Sequence, residues 1–175
     1  MSGKSFKCLQ CGTCCRDLFD YVDSQKRGLT LTLDEATLFP ENLISPLMAI
    51  GTEKPSLLIL YQLNVNECPF IDQSNKCMIY EKRPLVCRAF PLNQGSYSTK
   101  CKLFGFAKNF PENSVKIAMD WGNIQLEAER TLDQYILENF EKWFRNGIAT
   151  WSFDLATHQW VLRKRYDNYE GAVSF

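Results

Sequence analysis

The stretch that decides the fold is Cys8-Leu9-Gln10-Cys11-Gly12-Thr13-Cys14-Cys15, which holds four of the eight cysteines in the chain. Cysteines spaced by two residues converge on one ion because a tight turn brings their sulfurs together. Gly12 suits such a turn, since glycine adopts backbone angles that other residues avoid. A disulfide between the adjacent residues Cys14 and Cys15 would be strained. This first block, residues 8–15, is therefore predicted to be reduced and bound to metal.

The other four cysteines are more widely spaced, and we expect separate elements of the fold to bring them to the first block. Eight thiolates would serve two four-coordinate sites, or one cluster with the remaining cysteines buried as small hydrophobic residues. Both arrangements stay open from the sequence. The predicted metal ligands are Cys8, Cys11, Cys14, Cys15, Cys68, Cys77, Cys87 and Cys101.

Length and composition indicate one globular domain over residues 1–175, of which 45% are hydrophobic. Twenty Lys and Arg balance twenty Asp and Glu, so no net charge attracts nucleic acid or an anionic membrane. The sequence shows no secretory signal and no apolar run of the roughly 20 residues that span a membrane. We therefore expect a cytoplasmic protein with reduced cysteines and an unknown redox or protein partner, with neither nucleic acid nor membrane as a partner.

The cysteine-rich region is expected to cover residues 6–104 and to contain short hairpins. The polar turn 72–75 should reverse two short strands and place Cys68 near Cys77. Pro84 should begin a helical turn that contains Cys87. A strand over residues 95–104 should return Cys101 to the group.

Several other elements are predicted around this region. Thr32 and Glu35 have the spacing of a capping box, which indicates a short helix that ends before Pro40. Residues 41–55, with two prolines and a glycine, are predicted to form a loop, and residues 56–64 a buried strand.

Residues 105–175 are expected to form a scaffold without cysteines. Apolar residues recur at helical spacing from Gly122 to Asn146, with Gly147 as the stop signal. A β-hairpin should follow, with a turn over residues 156–159 and the basic residues 163–165 at its end. The predicted fold class is α+β: a small, irregular, cysteine-rich metal-binding domain packed against a long C-terminal helix and a terminal β-hairpin.

The sequence resembles the cysteine-cluster proteins named for a C-x2-C-x2-C-C pattern, whose domain is described as zinc- or iron-chelating. The pattern is formed here by Cys8, Cys11, Cys14 and Cys15, and a second block runs from Glu67 to Pro91 with its Arg-Pro and Cys-Arg-Ala-Phe-Pro segments. The resemblance covers about residues 6–104. One similar branch, the flagellin lysine N-methylases, is associated with an iron–sulfur cluster and S-adenosylmethionine.

The spacing of the cysteines favours an iron–sulfur cluster and keeps zinc as the alternative. Bacterial ferredoxins use C-x2-C-x2-C-x3-C-P, and Cys8, Cys11 and Cys14 reproduce its first three positions. Residue 18 is leucine, so a cubane would take its last thiolate from Cys68 or Cys87. A zinc ribbon normally needs two C-x2-C knuckles, and only the Cys8–Cys11 pair forms one as such.

Cationic side chains near the cysteines are a second indication of a thiolate centre. Such a centre carries negative charge, which neighbouring cations offset. Ordinary pairing with carboxylates is the alternative role for these cations. They are Arg16, Lys82, Arg83 and Arg88.

Three functions are compatible with these observations. The first is electron transfer or cluster-dependent chemistry, and the second is a structural zinc module that organises a binding surface. The third is S-adenosylmethionine-dependent lysine methylation, which rests on family analogy alone. His158, the only histidine, is expected to be solvated or to cap a turn. Without paired carboxylates, a nucleophile elbow or a phosphate loop, the common hydrolase and nucleotide-binding classes are excluded, and no catalytic residue is assigned.

Overall fold

The computed structural model describes residues 8–93, 96–98, 100–102, 122–141 and 148–166. Contacts between Cα atoms group the chain into two compact units, Met1–Leu18 with Val65–Leu132 and Phe19–Asn64 with Asp133–Phe175. The single-domain expectation stays a prediction. In the described part of the chain, no helix combines the length and apolar composition needed to cross a bilayer.

The first unit contains both cysteine blocks and little regular structure. Its elements are α2 (Leu85–Ala89), β6 (Leu92–Asn93), β7 (Ser96–Tyr97) and the start of the long helix α3 (Gly122–Glu141). Leu85 and Ala89 of α2 are buried with Ala128 of α3, and Leu132 packs against them. This apolar contact fixes the helical turn that contains Cys87.

The second unit is built on a five-stranded antiparallel sheet. The sheet strands are β3 (Leu29–Leu31), β4 (Ile44–Gly51), β5 (Leu57–Leu63), β8 (Ile148–Asp154) and β9 (Gln159–Tyr166). Their order in the sheet is β3-β5-β4-β8-β9. A separate hairpin joins β1 (Asp20–Val22) and β2 (Gln25–Arg27), and α1 (Leu33–Ala36) follows β3.

Two buried polar side chains connect these strands. Gln62 is fully buried: its Oε1 accepts from Gly28 N at 2.8 Å, and its Nε2 donates to the carbonyl of Pro46 at 2.7 Å and of Phe153 at 3.1 Å. Asp154 Oδ1 accepts from the backbone N–H of Lys26 at 2.9 Å and of Ala156 at 3.0 Å. The Thr157 hydroxyl donates to the other carboxylate oxygen at 2.8 Å.

The sequence analysis was wrong about residues 41–55, because Ile44–Gly51 form strand β4 instead of a loop. Pro46 is tolerated since the ladder with β5 is irregular immediately after it, and pairing with β8 begins only at Met48. Gly51 ends the strand where a Cβ atom would lie 1.9 Å from the Lys54 carbonyl oxygen. Pro46 therefore marks an irregularity within strand β4, and Gly51 marks the end of that strand.

Other expectations are confirmed, among them the α+β class. The capping box of Thr32 and Glu35 is present, β5 matches the predicted buried strand, and the terminal hairpin forms with its turn at residues 155–158. The strand expected over residues 95–104 is reduced to β7, since Ser98 and residues 100–102 are not in a strand. Residues 95, 99, 103 and 104 lie outside the described residues, as do the predicted helix end at residues 142–146 and the stop at Gly147.

Candidate metal centre

The first block folds into a tight turn around Gly12. Thr13–Cys15 form one turn of 3₁₀-helix, and Cys15 N donates to the Gly12 carbonyl at 3.0 Å. The backbone N–H of Gln10 donates to Cys8 Sγ at 3.3 Å, and Cys11 Sγ lies 3.2 Å from the Thr13 hydroxyl. A backbone N–H therefore donates to the sulfur of Cys8, and a hydroxyl is hydrogen-bonded to that of Cys11.

A short antiparallel contact joins the first block to the second. Arg16 pairs with Glu67 as an isolated bridge, and their side chains form an ion pair at 3.3 Å. On either side, Cys68 N donates to the Cys15 carbonyl at 2.8 Å and Leu18 N donates to Asn66 O at 3.0 Å. Since the ion pair is exposed, the backbone bonds are the main positional constraint. They place Cys15 directly beside Cys68.

The predicted turn at residues 72–75 lies against Gly12 of the first block. Asp72 Oδ1 accepts from Ser74 N at 2.7 Å and from Lys76 N at 2.8 Å, and an antiparallel bridge pairs Ile71 with Cys77. Gly12 lies so close to this turn that a Cβ atom on it would be 2.7 Å from Ile71 Cδ1. The turn therefore holds Cys77 near the first block, and the predicted proximity of Cys68 and Cys77 is supported.

Three thiols are linked through Cys15. The Cys15 thiol is hydrogen-bonded to both Cys14 and Cys68, and these bonds lower the pKa of each partner to about 7. The same bonds, with the one to Cys14 as the larger, raise the pKa of Cys15. Adjacent residues project their side chains in different directions, and the Cys15 thiol bridges Cys14 and Cys68 without a disulfide. All cysteines in the structure are free thiols.

Cys77 and Cys87 complete what we call the five-cysteine group, together with Cys14, Cys15 and Cys68. Burial raises the pKa of Cys77, and the negative charges of Cys68 and Cys14 add to the effect. Burial is also the largest cause that raises the pKa of Cys87, followed by the charges of three other members of the group. Cys77 and Cys87 therefore each lie within electrostatic range of Cys14 and Cys68.

The remaining three cysteines lie around this group. The Tyr80 hydroxyl is hydrogen-bonded to Cys8. Burial opposes ionisation of Cys11, but hydrogen bonds from Thr13 and the charge of Lys102 outweigh it, so its pKa is lowered. Lys100 Nζ donates to the Asp17 carbonyl at 3.2 Å. This bond ties the segment that contains Cys101 to a residue just after the first block.

The donor set fits a thiophilic metal, since every titratable group in the five-cysteine group is a soft thiol. Within the described residues, however, no three His, Cys, Asp or Glu side chains stand as ligands of one ion. Metal coordination would replace the thiol hydrogen bonds of Cys15 with thiolate–metal bonds. The assignment of all eight cysteines as ligands stays a prediction.

The other residues that the sequence analysis considered can be compared with their expected roles. His158 is exposed in the β8–β9 turn, as expected. Arg16 forms an ion pair with the Glu67 carboxylate, which was the alternative role for these cations. The charge of Arg83 instead contributes to the lowered pKa of Cys14. The sequence analysis gave no role to Thr13 or Tyr80. Thr13 was detectable as a hydroxyl two residues after Cys11, but the contact of Tyr80 with Cys8 has no local sequence signal.

The family model that matches residues 7–109 is CxxCxxCC, described as a "putative zinc- or iron-chelating domain". This match covers more than half of the 175 residues, so the chain belongs to that family. No curated protein and no solved structure matches the chain. The predicted family resemblance is confirmed, and zinc or iron chelation is the property by which the family is described. The similarity to flagellin lysine N-methylases stays a prediction.

Proposed function

We propose that this member of the zinc- or iron-chelating family holds an iron–sulfur cluster through its cysteines and acts in electron transfer or cluster-dependent chemistry. The supporting observation is the number of sulfurs that gather. A structural zinc ion takes four ligands. Here five thiols are connected, because Cys15 is hydrogen-bonded to Cys14 and Cys68, and Cys77 and Cys87 each lie within electrostatic range of that pair. A polynuclear centre, or two ions, uses such a surplus.

The residues that would hold the cluster come from both blocks. Cys14 and Cys68 are the strongest candidates, because the hydrogen bonds from Cys15 favour their thiolate forms. Cys77 and Cys87 follow, and both are partly shielded from water. When bound, an iron–sulfur cluster would supply one-electron chemistry. We expect the protein to work in the cytoplasm, where its thiols stay reduced, with a redox or protein partner.

Anaerobic purification tests this proposal directly. The protein should be coloured, with iron and acid-labile sulfide in comparable amounts by metal and sulfide analysis. Colourless protein with stoichiometric zinc, and no labile sulfide after anaerobic reconstitution, would eliminate the cluster.

Single Cys→Ser variants test the ligand set. Cys14→Ser and Cys68→Ser should lose most of the bound metal and should lower the unfolding temperature, because metal binding and folding are coupled at such sites. Cys101→Ser is the matched comparison at the edge of the group. If it retains full metal content, Cys101 is not a ligand, and if Cys14→Ser retains it, the proposed centre is wrong.

Zinc is the second candidate, because Cys8 and Cys11 form a C-x2-C knuckle of the kind that zinc sites use. Gln10 N donates to Cys8 Sγ at 3.3 Å, a bond that would support a metal-bound thiolate. In that case the metal would organise a binding surface without redox chemistry. Cobalt substitution should then give a tetrahedral thiolate spectrum, and the zinc protein should give no metal-centred redox signal.

A further inference from the structure

Strand β9 forms one edge of the five-stranded sheet. The sheet order places β3 and β9 at the two edges, and β9 spans eight residues, whereas β3 spans three. Strand β9 pairs with β8 along its inner side. Within the described residues, no other strand pairs with the outer side of residues 159–165. An edge of this kind presents backbone N–H and C=O groups with which a further extended segment can pair.

The side chains of β9 are exposed on both faces of the sheet. Successive residues of a strand point to opposite faces, and every residue from Val161 to Arg165 is exposed. Val161 and Leu162 are 36% and 40% exposed, so an added strand would cover apolar surface on both faces. The Trp160 ring packs edge-to-face on Phe153 of β8, with the ring centroids 5.4 Å apart. This contact anchors the apolar half of β9 to the sheet.

The other half of β9 is positively charged. Residues 159–166 include three cations and no Asp or Glu. The cations are Arg163, Lys164 and Arg165. Arg163 forms an ion pair with Asp23. Lys164 Nζ lies 4.7 Å from the centroid of the Tyr166 ring, and Arg165 donates to the Thr52 carbonyl at 3.0 Å. Two of the cations are therefore held at neutral groups, and no carboxylate among the described residues forms an ion pair with either of them.

An acidic segment fits this edge better than a second copy of the chain does. Pairing two β9 strands would gather three cations from each copy in one ribbon, and like charges on neighbouring strands are destabilising. Cations on an edge, together with the bulge that leaves Arg163 without a partner in β8, are features that prevent association between copies. The same cations attract carboxylates, so the edge repels one class of partner and attracts another.

We propose that the outer edge of β9 is a docking site for an acidic extended segment of a partner protein, which adds a sixth strand to the sheet. The backbone of this segment pairs with Gln159–Leu162, ahead of the bulge, and its carboxylates lie beside Lys164 and Arg165. In such strand addition, backbone hydrogen bonds give affinity and side chains give specificity. The inference does not depend on metal binding, because every residue that it uses belongs to the second unit.

The test uses the full chain and a fluorescent peptide as long as β9, in which glutamate alternates with valine. Fluorescence anisotropy should show binding that weakens as salt is added, because salt screens exposed charges. Hydrogen exchange read by mass spectrometry should show new protection over residues 159–162 and none over β3. Two further peptides carry methyl groups on the backbone nitrogens of alternate residues. Only alternate N–H groups of a strand face its neighbour, so one methylated peptide should bind and the other should not.

Charge reversal tests the cations of β9. Lys164→Glu should weaken binding of the glutamate peptide by about 5-fold, because an exposed attraction becomes a repulsion. The same variant should bind a peptide that alternates lysine with valine more tightly than wild type does. Arg130→Glu is the matched control: it reverses one exposed cation on helix α3 and should bind the glutamate peptide as wild type does.

Several results would overturn the proposal. These are no binding of the glutamate peptide at millimolar concentration, equal binding of the lysine peptide to wild type, and unchanged binding of both methylated peptides. Protection of residues 159–162 in a peptide-free dimer, identified by light scattering, would assign the edge to a second copy instead. A single-stranded oligonucleotide that binds this edge more tightly than the glutamate peptide would assign it to nucleic acid. Circular dichroism checks the folding of each variant. If Lys164→Glu does not fold, the methylated peptides decide, since they are tested on wild-type protein.

Discussion

Replacing Gly12 with alanine should destabilise the turn that presents the first block of cysteines. Gly12 has a φ of +72°, a region that costs an L-residue about 1 kcal/mol or more. The added Cβ would lie 2.7 Å from Ile71 Cδ1 and 2.9 Å from the Asn75 carbonyl oxygen. Overpacking of this kind costs about 1–3 kcal/mol. The free energy of unfolding should therefore fall by about 2–4 kcal/mol.

Urea unfolding followed by circular dichroism measures this effect, at fixed protein and metal concentrations because bound metal stabilises the folded state. Ile71→Val removes only the Cδ1 atom that the new methyl group would meet. In the Ile71→Val background, Gly12→Ala should cost less than in wild type, while the contact with the Asn75 carbonyl and the strained φ remain. A wild-type midpoint for Gly12→Ala would refute the reasoning. An equal cost in both backgrounds would exclude the contact with Ile71 as its source.

Three further predictions concern the second unit. Hydrogen bonds, the one from Ala156 N first, hold the pKa of Asp154 below its ordinary value, so its stabilisation is present above that value and is lost as the pH falls through the folded-state pKa. Asp154→Asn should therefore unfold more easily than wild type at pH 7, with the difference closing below about pH 4, and a pH-independent difference would contradict this. Gln62→Leu should lower the free energy of unfolding by at least about 2 kcal/mol, because three part-buried backbone groups lose the partner that Gln62 provides. Exposed Gln159→Leu should stay near wild type. Thr32→Ala should cost about 1 kcal/mol through loss of the capping box, and Thr32→Ser should restore most of it, both read from thermal unfolding.

Local signals in the sequence were sufficient for the elements that short-range chemistry controls. The capping box at Thr32 and the helical turn after Pro84 depend on residues only a few positions apart, and both form as predicted. The hairpin turn before Gln159 forms for the same reason, since Asp154 accepts hydrogen bonds from Ala156 N and from the Thr157 hydroxyl within the turn.

The order of the sheet could not be obtained in this way. Strand β4 contains Pro46, which local rules treat as a breaker, but β5 and β8 pair with this strand from distant parts of the sequence. The fully buried Gln62 joins three segments through its side chain, and each of its partners lies at least 16 positions away. A polar residue within an apolar strand gives no indication of which backbone groups it will meet.

At the candidate metal centre, the sequence predicted cysteines as the donors but not which of them contact one another. Cys15 is the residue that departs from the ferredoxin spacing, and it follows Cys14 with no residue between them. In the structure it joins the two blocks: its carbonyl accepts from Cys68 N at 2.8 Å, and its thiol is hydrogen-bonded to Cys14 and Cys68. The side chains of these two adjacent cysteines thus point in different directions. Cys14 continues the C-x2-C spacing of the first block, and Cys15 contacts Cys68 of the second block. A pattern with three residues between these cysteines would place the fourth sulfur beyond the point where the chain pairs with Glu67.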